Sequence, residues 1–249
     1  MRRIIINADD CGKSATVNSH IEKAIEARKI SSTTVMANMD DFEGALRLYK
    51  TYHDEISFGW HLNLTEGTPL LKSQVLLDYG YYKEKNGMEI FNGLSFWKNQ
   101  LPKYVKEEIS KELHAQHEKL LDSGIRISHV DSHQHIHTSP SMMGLMPNLF
   151  NELRLSRVRN IRNYVPFSFS YILRKTWGGY MKFKVNGCKM TQYFCSFQEY
   201  YNNPSLWNFN NIELMCHPGH GGNQYDTEEQ LLLENILFKE NELINYIQL

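Results

Sequence analysis

RRIIINADD, residues 2–10, is a short β-branched run that ends at two aspartates. Such a run is typical of a strand that is buried on both faces of a parallel sheet. The periodicity then changes, because apolar side chains recur at helical spacing between Ser14 and Arg28, with Ser14 placed to cap the helix. A buried strand followed directly by an amphipathic helix predicts a βαβ unit.

The same alternation continues along most of the chain. The pattern predicts further strands at 31–39, 56–65, 125–133, 156–162 and 212–218, and helices at 40–54, 103–122, 140–155 and 227–247. Alternating strands and helices indicate an α/β protein with a parallel sheet.

Two stretches interrupt this alternation. Residues 66–100 combine glycines, a proline and several aromatic residues with weak periodicity, so we expect an irregular insertion there. Residues 165–210 are rich in aromatic residues and fit neither pattern. We expect one domain over residues 1–249, because α/β barrels often use this length as a single unit.

Composition argues against several classes of partner. The formal net charge is -1 and the sequence has no basic tail, so nucleic acid is not an expected partner. No apolar run approaches the roughly 20 residues that span a membrane. The N-terminal apolar run is also too short for a secretory signal. The four cysteines are scattered without CxxC spacing, so we expect free thiols and a cytoplasmic protein.

Polar side chains cluster where the predicted strands end. Seven of the eleven histidines lie in these places: His61, His129, His133, His135, His137, His217 and His220. The carboxyl ends of parallel strands meet at one mouth, and α/β proteins build their active sites there. We therefore expect these strand-end clusters to share a site.

HVDSHQHIH, residues 129–137, concentrates four imidazoles and a carboxylate. Alternate side chains of a strand share a face, and neutral imidazoles are common ligands of zinc-like ions. We expect a metal site here. The alternative is a polar strand exit with solvated histidines, since the run approaches a turn at Ser139-Pro140.

Asp9 and Asp10 are adjacent carboxylates at the end of an apolar strand. Their charges repel each other unless a cation offsets them. In the functional interpretation, Asp10 binds a cation while Asp9 remains free to act as a base. Alternatively, either residue caps the helix that follows.

Four further residues have open roles. His61, among apolar neighbours in FGWHLNLT, is a metal ligand or a hydrogen-bonded core residue. His217 precedes the sharp turn in CHPGHGG and suits general acid catalysis, although a plain loop histidine fits as well. Arg159 and Arg162 could bind a substrate oxygen, orient Asp9 by an ion pair, or lie on the surface.

Five motifs, taken in order, resemble the YdjC-like carbohydrate deacetylase family, which includes chito-oligosaccharide deacetylases: NADDCG, STTVMAN, GWHLNLTEGTPL, HVDSHQHIH and ELMCHPG. The matches extend from residue 4 to about residue 222. The resemblance implies an irregular β/α barrel of the deacetylase type with about seven strands, acting as a single catalytic domain. It also implies that one divalent metal ion assists hydrolysis of an N-acetyl group on a sugar.

Mapped motif by motif, the resemblance implies Asp10, His61 and His133 as metal ligands, Asp9 as catalytic base and His217 as the acid. The candidates for substrate contact are Arg159, Arg162, His135 and Asn63. One carboxylate and two imidazoles suit Zn²⁺, whereas Mg²⁺ is common in such families, so the expected ion is Mg²⁺ or Zn²⁺.

The expected partner is an N-acetylated sugar, and a homodimer would suit the aromatic-rich segments. Aromatic residues in and just after the insertion could stack on the sugar or form a small core of their own: Tyr81, Tyr82, Phe91, Phe96 and Trp97. Two other functions fit the same fold, namely a metal-dependent phosphoesterase and a carbohydrate-binding protein without turnover. Few basic residues are placed to bind phosphate, and the complete Asp and His set argues against lost turnover.

Overall fold

The computed structural model describes residues 3–93, 100–163, 169–234 and 242–249. Its centre is a six-stranded parallel sheet, with a separate two-stranded antiparallel sheet at one side. The strands in the described residues are β1 (Ile4–Cys11), β2 (Ser32–Val35), β3 (Ser57–Leu62), β4 (Tyr82–Lys85), β5 (Met88–Phe91), β6 (Val130–Ser132), β7 (Tyr193–Ser196) and β8 (Ile212–Cys216).

The strand order of the main sheet is β6-β3-β2-β1-β8-β7, and every neighbouring pair is parallel. This half-barrel confirms the predicted α/β class and parallel sheet. β1 lies near the middle and all eight of its residues are buried. Ile4, Ile6 and Ala8 join the hydrophobic core, whereas Asn7 and Asp9 lie on the opposite face of the strand. The sheet therefore has an apolar outer face under the helices and a largely polar inner face.

Helices follow most strands, as the alternation predicts. They are α1 (Ala15–Glu26), α2 (Phe42–Tyr52), α3 (Gln74–Asp78), α4 (Lys103–Asp122), α5 (Met146–Glu152), α6 (Phe169–Lys184), α7 (Phe197–Asn202) and α8 (Asn223–Leu233). The Ser14 side chain caps α1 by accepting a hydrogen bond from the Val17 amide. Neither Asp9 nor Asp10 is this cap, so the capping alternative for the two aspartates is wrong.

The expected irregular insertion at residues 66–100 has more structure than its weak periodicity indicates. The helix α3 precedes a hairpin of β4 and β5, whose turn is Asn86-Gly87 with φ of 53° and 74°. Asn-Gly is a frequent two-residue hairpin turn because both positions require positive φ. Residues 94–99 lie outside the described part of the chain, so the end of the expected insertion is not seen.

Three predicted elements differ from the structure. The strand expected at 156–162 is reduced to bridges, in which Val158 pairs with Val130 of β6 and Arg157 pairs with Lys189. These bridges extend the sheet beyond its β6 edge. The helix expected at 140–155 is only α5, preceded by a 3₁₀ turn at Pro140–Met142.

The prediction of a helix at 227–247 is wrong for its last described residues, 242–247. The helix α8 ends at Leu233, and residues 235–241 lie outside the described part of the chain. Residues 242–249, which we call the C-terminal tail, instead cross the amino-terminal ends of the strands. Leu243 pairs with Ile4, and the Ile244 amide donates to the Ile4 carbonyl. Within the described residues, no helix is both long and apolar enough to cross a membrane.

Candidate metal centre

Three strand ends bring the predicted metal ligands together. Asp10 lies at the end of β1, His61 near the end of β3, and His133 directly after β6. Asp10 has φ of 68°, in the left-handed region, and the β1–β2 register shifts between Ala8 and Cys11. This irregularity separates the two aspartates, so that their side chains contact different partners.

One oxygen of Asp10 contacts both predicted histidine ligands. Asp10 Oδ1 lies 2.9 Å from His61 Nε2 and 2.9 Å from His133 Nδ1. One ligand atom from each of the three residues lies within 4.8 Å of the other two. Asp10 and His61 are each only 1% exposed, so the cluster is enclosed by protein. The three residues are thus close enough to bind one ion.

Each histidine of the cluster is held through its second nitrogen. His61 Nδ1 lies 2.7 Å from Asp131 Oδ1, and His133 Nε2 lies 3.0 Å from Glu66 Oε2. Glu66 also pairs with Lys13 at 2.8 Å. Metal-binding histidines are commonly oriented by such carboxylates, which fix the ring and raise its basicity.

The charges of the cluster match a cation. Burial alone would lower the pKa of His61, but the carboxylates of Asp131 and Asp10 raise it to about 10. Burial would likewise lower the pKa of His133, and Asp10 and Glu66 raise it instead. Carboxylates that favour protonated imidazoles so strongly would also favour a divalent cation in place of those protons.

His220 is a neighbour of Asp10 for which the sequence indicates no role. Its Nε2 lies 2.9 Å from Asp10 Oδ2. Burial would raise the pKa of Asp10, but the neighbouring imidazoles of His133, His220 and His61 hold it well below its usual range. An ionised Asp10 carboxylate among imidazoles fits the binding of a cation.

Asp9 faces the inner side of the half-barrel, where Arg159 binds it. Arg159 Nη1 lies 2.6 Å from Asp9 Oδ2, and Nη2 lies 2.7 Å from Asp9 Oδ1. Asn7 Nδ2 donates a further hydrogen bond to Oδ1 at 2.9 Å. Burial would raise the pKa of Asp9, but the Arg159 guanidinium outweighs burial and holds the pKa below its usual range. Asp9 is therefore ionised at neutral pH.

Arg159 is fully buried and shared among three carboxylates. Besides Asp9, it contacts Asp131 Oδ2 at 2.7 Å and Glu213 Oε1 at 2.6 Å. Of the roles that the sequence leaves open for Arg159, these contacts match the orientation of Asp9. The guanidinium is enclosed by protein groups, so these contacts do not favour binding of substrate by Arg159. A substrate contact stays a prediction for this residue.

His217 follows β8 and faces Asp9 across the mouth. Its Nε2 lies 3.9 Å from Asp9 Oδ2, and its Nδ1 lies 3.5 Å from Glu228 Oε2 on α8. The same Glu228 oxygen accepts the His217 backbone amide at 2.9 Å. Burial would lower the pKa of His217, but Glu228 and the aspartates raise it. A protonated imidazole beside an ionised carboxylate can donate a proton to a group bound next to both.

The other candidates for substrate contact lie in different surroundings. Arg162 is 39% exposed and pairs with Glu199. His135 has a buried Nδ1 without a hydrogen bond, and its φ of 55° is unusual for a residue other than glycine. Asn63 is fully buried, and its side-chain oxygen accepts the amides of Thr65 and Glu66. Substrate binding by these three residues stays a prediction. For Asn63, the turn-forming contacts of its side chain do not favour it.

The aromatic residues of the insertion pack on one another. Tyr81, Tyr82 and Phe91 are each less than 5% exposed, and Phe91 meets both tyrosines edge-on. These contacts match the small core that the sequence leaves open as an alternative to sugar stacking. Phe96 and Trp97 lie outside the described residues.

The fold and these contacts define a parallel α/β half-barrel with an Asp and His cluster at the carboxyl edge of its sheet. The sequence profile of the YdjC-like protein family matches residues 3–243, and the chain belongs to this family.

Relatives and a solved structure agree with this assignment. A protein named carbohydrate deacetylase from Brevibacillus brevis is 34% identical over 61% of this chain and 57% of its own length. Another of that name from Vibrio parahaemolyticus is 29% identical over 88% of this chain and 78% of its own length. The fold resembles that of an Enterococcus faecalis V583 protein provisionally described as a cellobiose-phosphate cleavage protein. The TM-score is 0.75 at 20% identity, covering 99% of this chain and 98% of that one.

Proposed function

We propose that this protein is a metal-dependent hydrolase that removes the N-acetyl group from an N-acetylated sugar. The observation that supports this most is the convergence of Asp10, His61 and His133 beside the buried, ionised Asp9. The names of the relatives add carbohydrate deacetylation as the reaction. We also propose that residues 1–249 act as a single catalytic domain.

Asp10, His61 and His133 are the residues that would hold the cation, which we propose is Zn²⁺ or Mg²⁺. Two imidazoles and one carboxylate suit Zn²⁺, while the carboxylate oxygens of the site also suit a harder ion such as Mg²⁺. A divalent ion bound there would supply Lewis-acid polarisation of the acetamide carbonyl. Asp131 and Glu66 would keep the two imidazoles in their orientation.

Asp9 would act as the base. It takes a proton from the water that attacks the acetamide carbonyl carbon. The Arg159 fork fixes both oxygens of Asp9 and keeps the carboxylate ionised. Arg159 also binds Asp131 and Glu213, so its single positive charge is shared among three carboxylates.

His217 would act as the acid. When the carbon–nitrogen bond breaks, the nitrogen takes a proton from His217, and the products are acetate and the free amino sugar. Glu228 supports this step, since it binds both the Nδ1 side of the ring and the backbone amide of His217. Asp9 and His217 would then act as base and acid on the same amide.

The test is acetate release from a panel of N-acetylated mono- and oligosaccharides, measured with and without a chelator. We expect acetate release that chelation abolishes and that Zn²⁺ or Mg²⁺ restores. Asp9→Asn is expected to lower kcat by about a thousandfold or more. Phosphate release from phosphoesters without acetate release would support a phosphoesterase instead, and sugar binding without turnover would support a binding protein.

A further inference from the structure

The C-terminal tail inserts one aromatic side chain into the amino-terminal end of the half-barrel. Tyr246 is fully buried, and its backbone amide donates to Ser57 Oγ at the start of β3. Its ring stacks on the His129 imidazole, with centroids 3.6 Å apart and planes 8° from parallel. The tail thus closes the end of the half-barrel opposite the candidate metal centre.

The hydroxyl of Tyr246 contacts a buried carboxylate. Its partner is Oε2 of Glu213, on the inner face of β8, and Glu213 is itself fully buried. The other oxygen, Oε1, accepts a hydrogen bond from Arg159 Nε at 2.6 Å. Glu213 therefore uses one oxygen for the tail and the other for the arginine that holds Asp9.

A continuous series of contacts consequently runs from the tail to the proposed base. It passes from Tyr246 to Glu213, then to Arg159, and from the Arg159 fork to Asp9. Each of these four residues is 2% exposed or less, so little water can replace a lost contact. Buried charged groups in one network are strongly coupled, because removing one partner leaves the next one unpaired.

We propose that Tyr246 is a positioning residue for Asp9, acting through Glu213 and Arg159. The tail hydroxyl fixes Glu213, and Glu213 fixes the plane of the guanidinium by binding Nε. The remaining two nitrogens then present a fork of fixed direction to Asp9. Without the hydroxyl, Glu213 can rotate and Arg159 can shift toward Asp131, its other carboxylate partner. This inference rests on the proposed function, in which Asp9 is the base.

Tyr246→Phe is the test, since it removes the hydroxyl and retains the ring that stacks on His129. The matched control is Tyr49→Phe, because Tyr49 is also a buried tyrosine and its hydroxyl accepts the Arg126 amide on the outer side of the sheet. Assayed at about pH 8.5, Tyr246→Phe is expected to lower kcat about tenfold with KM within about twofold. Tyr49→Phe is expected to leave both constants within about twofold while lowering the melting temperature by a similar amount.

A double-mutant cycle with Glu213→Gln tests the route. If Tyr246 acts through Glu213, adding Tyr246→Phe to Glu213→Gln changes kcat by less than about twofold. Independent, multiplying effects on kcat would overturn the inference, as would a Tyr246→Phe variant with wild-type kcat. If Glu213→Gln does not fold, a crystal structure of Tyr246→Phe decides, and an unmoved Arg159 fork overturns the inference. Wild-type protein without acetate release from any sugar rejects the proposed function itself.

Discussion

Arg159 binds Asp9 through two parallel hydrogen bonds, 2.6 Å from Nη1 to Oδ2 and 2.7 Å from Nη2 to Oδ1. Such a fork requires a planar guanidinium, which a lysine ammonium does not reproduce. Because the pair is buried with Asp131 and Glu213, the fork also offsets much of the negative charge inside the half-barrel. Both the orientation of Asp9 and the stability of the fold therefore depend on Arg159.

Arg159→Lys tests this dependence. We expect kcat for acetate release to fall by about a hundredfold, because Asp9 loses its fixed orientation. The free energy of unfolding should fall by about 3 kcal/mol, because carboxylates remain buried without their partners. Steady-state kinetics and urea unfolding measure the two effects. Arg47→Lys, at a side chain that is 73% exposed, is the control and should change neither. A lysine variant with wild-type kcat would contradict the orienting role.

Metal affinity distinguishes the proposed ligands from the residue that is proposed to orient one of them. Calorimetric titration of metal-free protein with Zn²⁺ should show that Asp131→Asn weakens binding by about 10- to 100-fold, since Asp131 holds the His61 ring and is not itself one of the proposed ligands. His61→Gln should weaken it more, because a direct ligand is lost. His53→Gln, at an exposed histidine, is the control. Equal affinities for His61→Gln and wild type would place the ion elsewhere.

The strand ends explain why part of the site could be predicted from the sequence. Parallel strands present their carboxyl ends at one edge, so Asp10, His61 and His133 could be expected to meet once the alternation was recognised. The distances of 2.9 Å agree with that expectation. Glu66 and His220 were harder to find. Glu66 directly follows the strand predicted at 56–65, and His220 lies two residues beyond the strand predicted at 212–218. The direction of each side chain depends on loop geometry that periodicity does not encode.

The C-terminal tail shows a different limit of the sequence pattern. Leucines in residues 227–247 recur at helical spacing, but Leu243 pairs with Ile4 instead. This pairing joins opposite ends of the chain, and no local pattern reports it. The hairpin of β4 and β5 is the opposite case. Its Asn86-Gly87 turn is a local signal that predicts a hairpin, so this element could have been found from the sequence.

Glu213 gives the fold a specific dependence on pH. Burial, partly offset by Arg159, raises the pKa of Glu213 to about 7 from the ordinary value of 4.5. The folded state therefore binds this proton more tightly than the unfolded state. The resulting stabilisation is complete below pH 4.5 and is lost as the pH rises to about 7, a difference of about 3 kcal/mol at most.

Glu213→Gln removes that titration. The unfolding free energy of wild type minus that of Glu213→Gln should therefore decrease between pH 4.5 and pH 7 and then level off. Urea unfolding of both proteins at several pH values measures this difference, and groups that titrate alike in both proteins cancel. A difference that increases with pH over this range would mean that Glu213 has a lowered pKa in the folded protein.

Gly59 in β3 is the position where a single methyl group should disturb the inner face most. A Cβ built there would lie 2.4 Å from His129 Cε1, much closer than a normal contact. The imidazole has little freedom to move, because it stacks on Tyr246 and lies 2.8 Å from Ser128 Oγ. Gly59→Ala should therefore lower the free energy of unfolding by about 2 kcal/mol.

The Gly59 prediction has a matched control and a rescue. Gly144→Ala should have little effect, since its Cβ would meet no atom within 4 Å. Adding His129→Ala to Gly59→Ala should cost less than the two single changes together, because the imidazole that obstructs the methyl group is gone. Chemical unfolding of wild type, the two single variants and the double variant completes the cycle. If the losses in unfolding free energy of the two single variants simply add in the double variant, the loss caused by Gly59→Ala arises from the β3 backbone itself. Contact with His129 is then not the reason that glycine is required at this position.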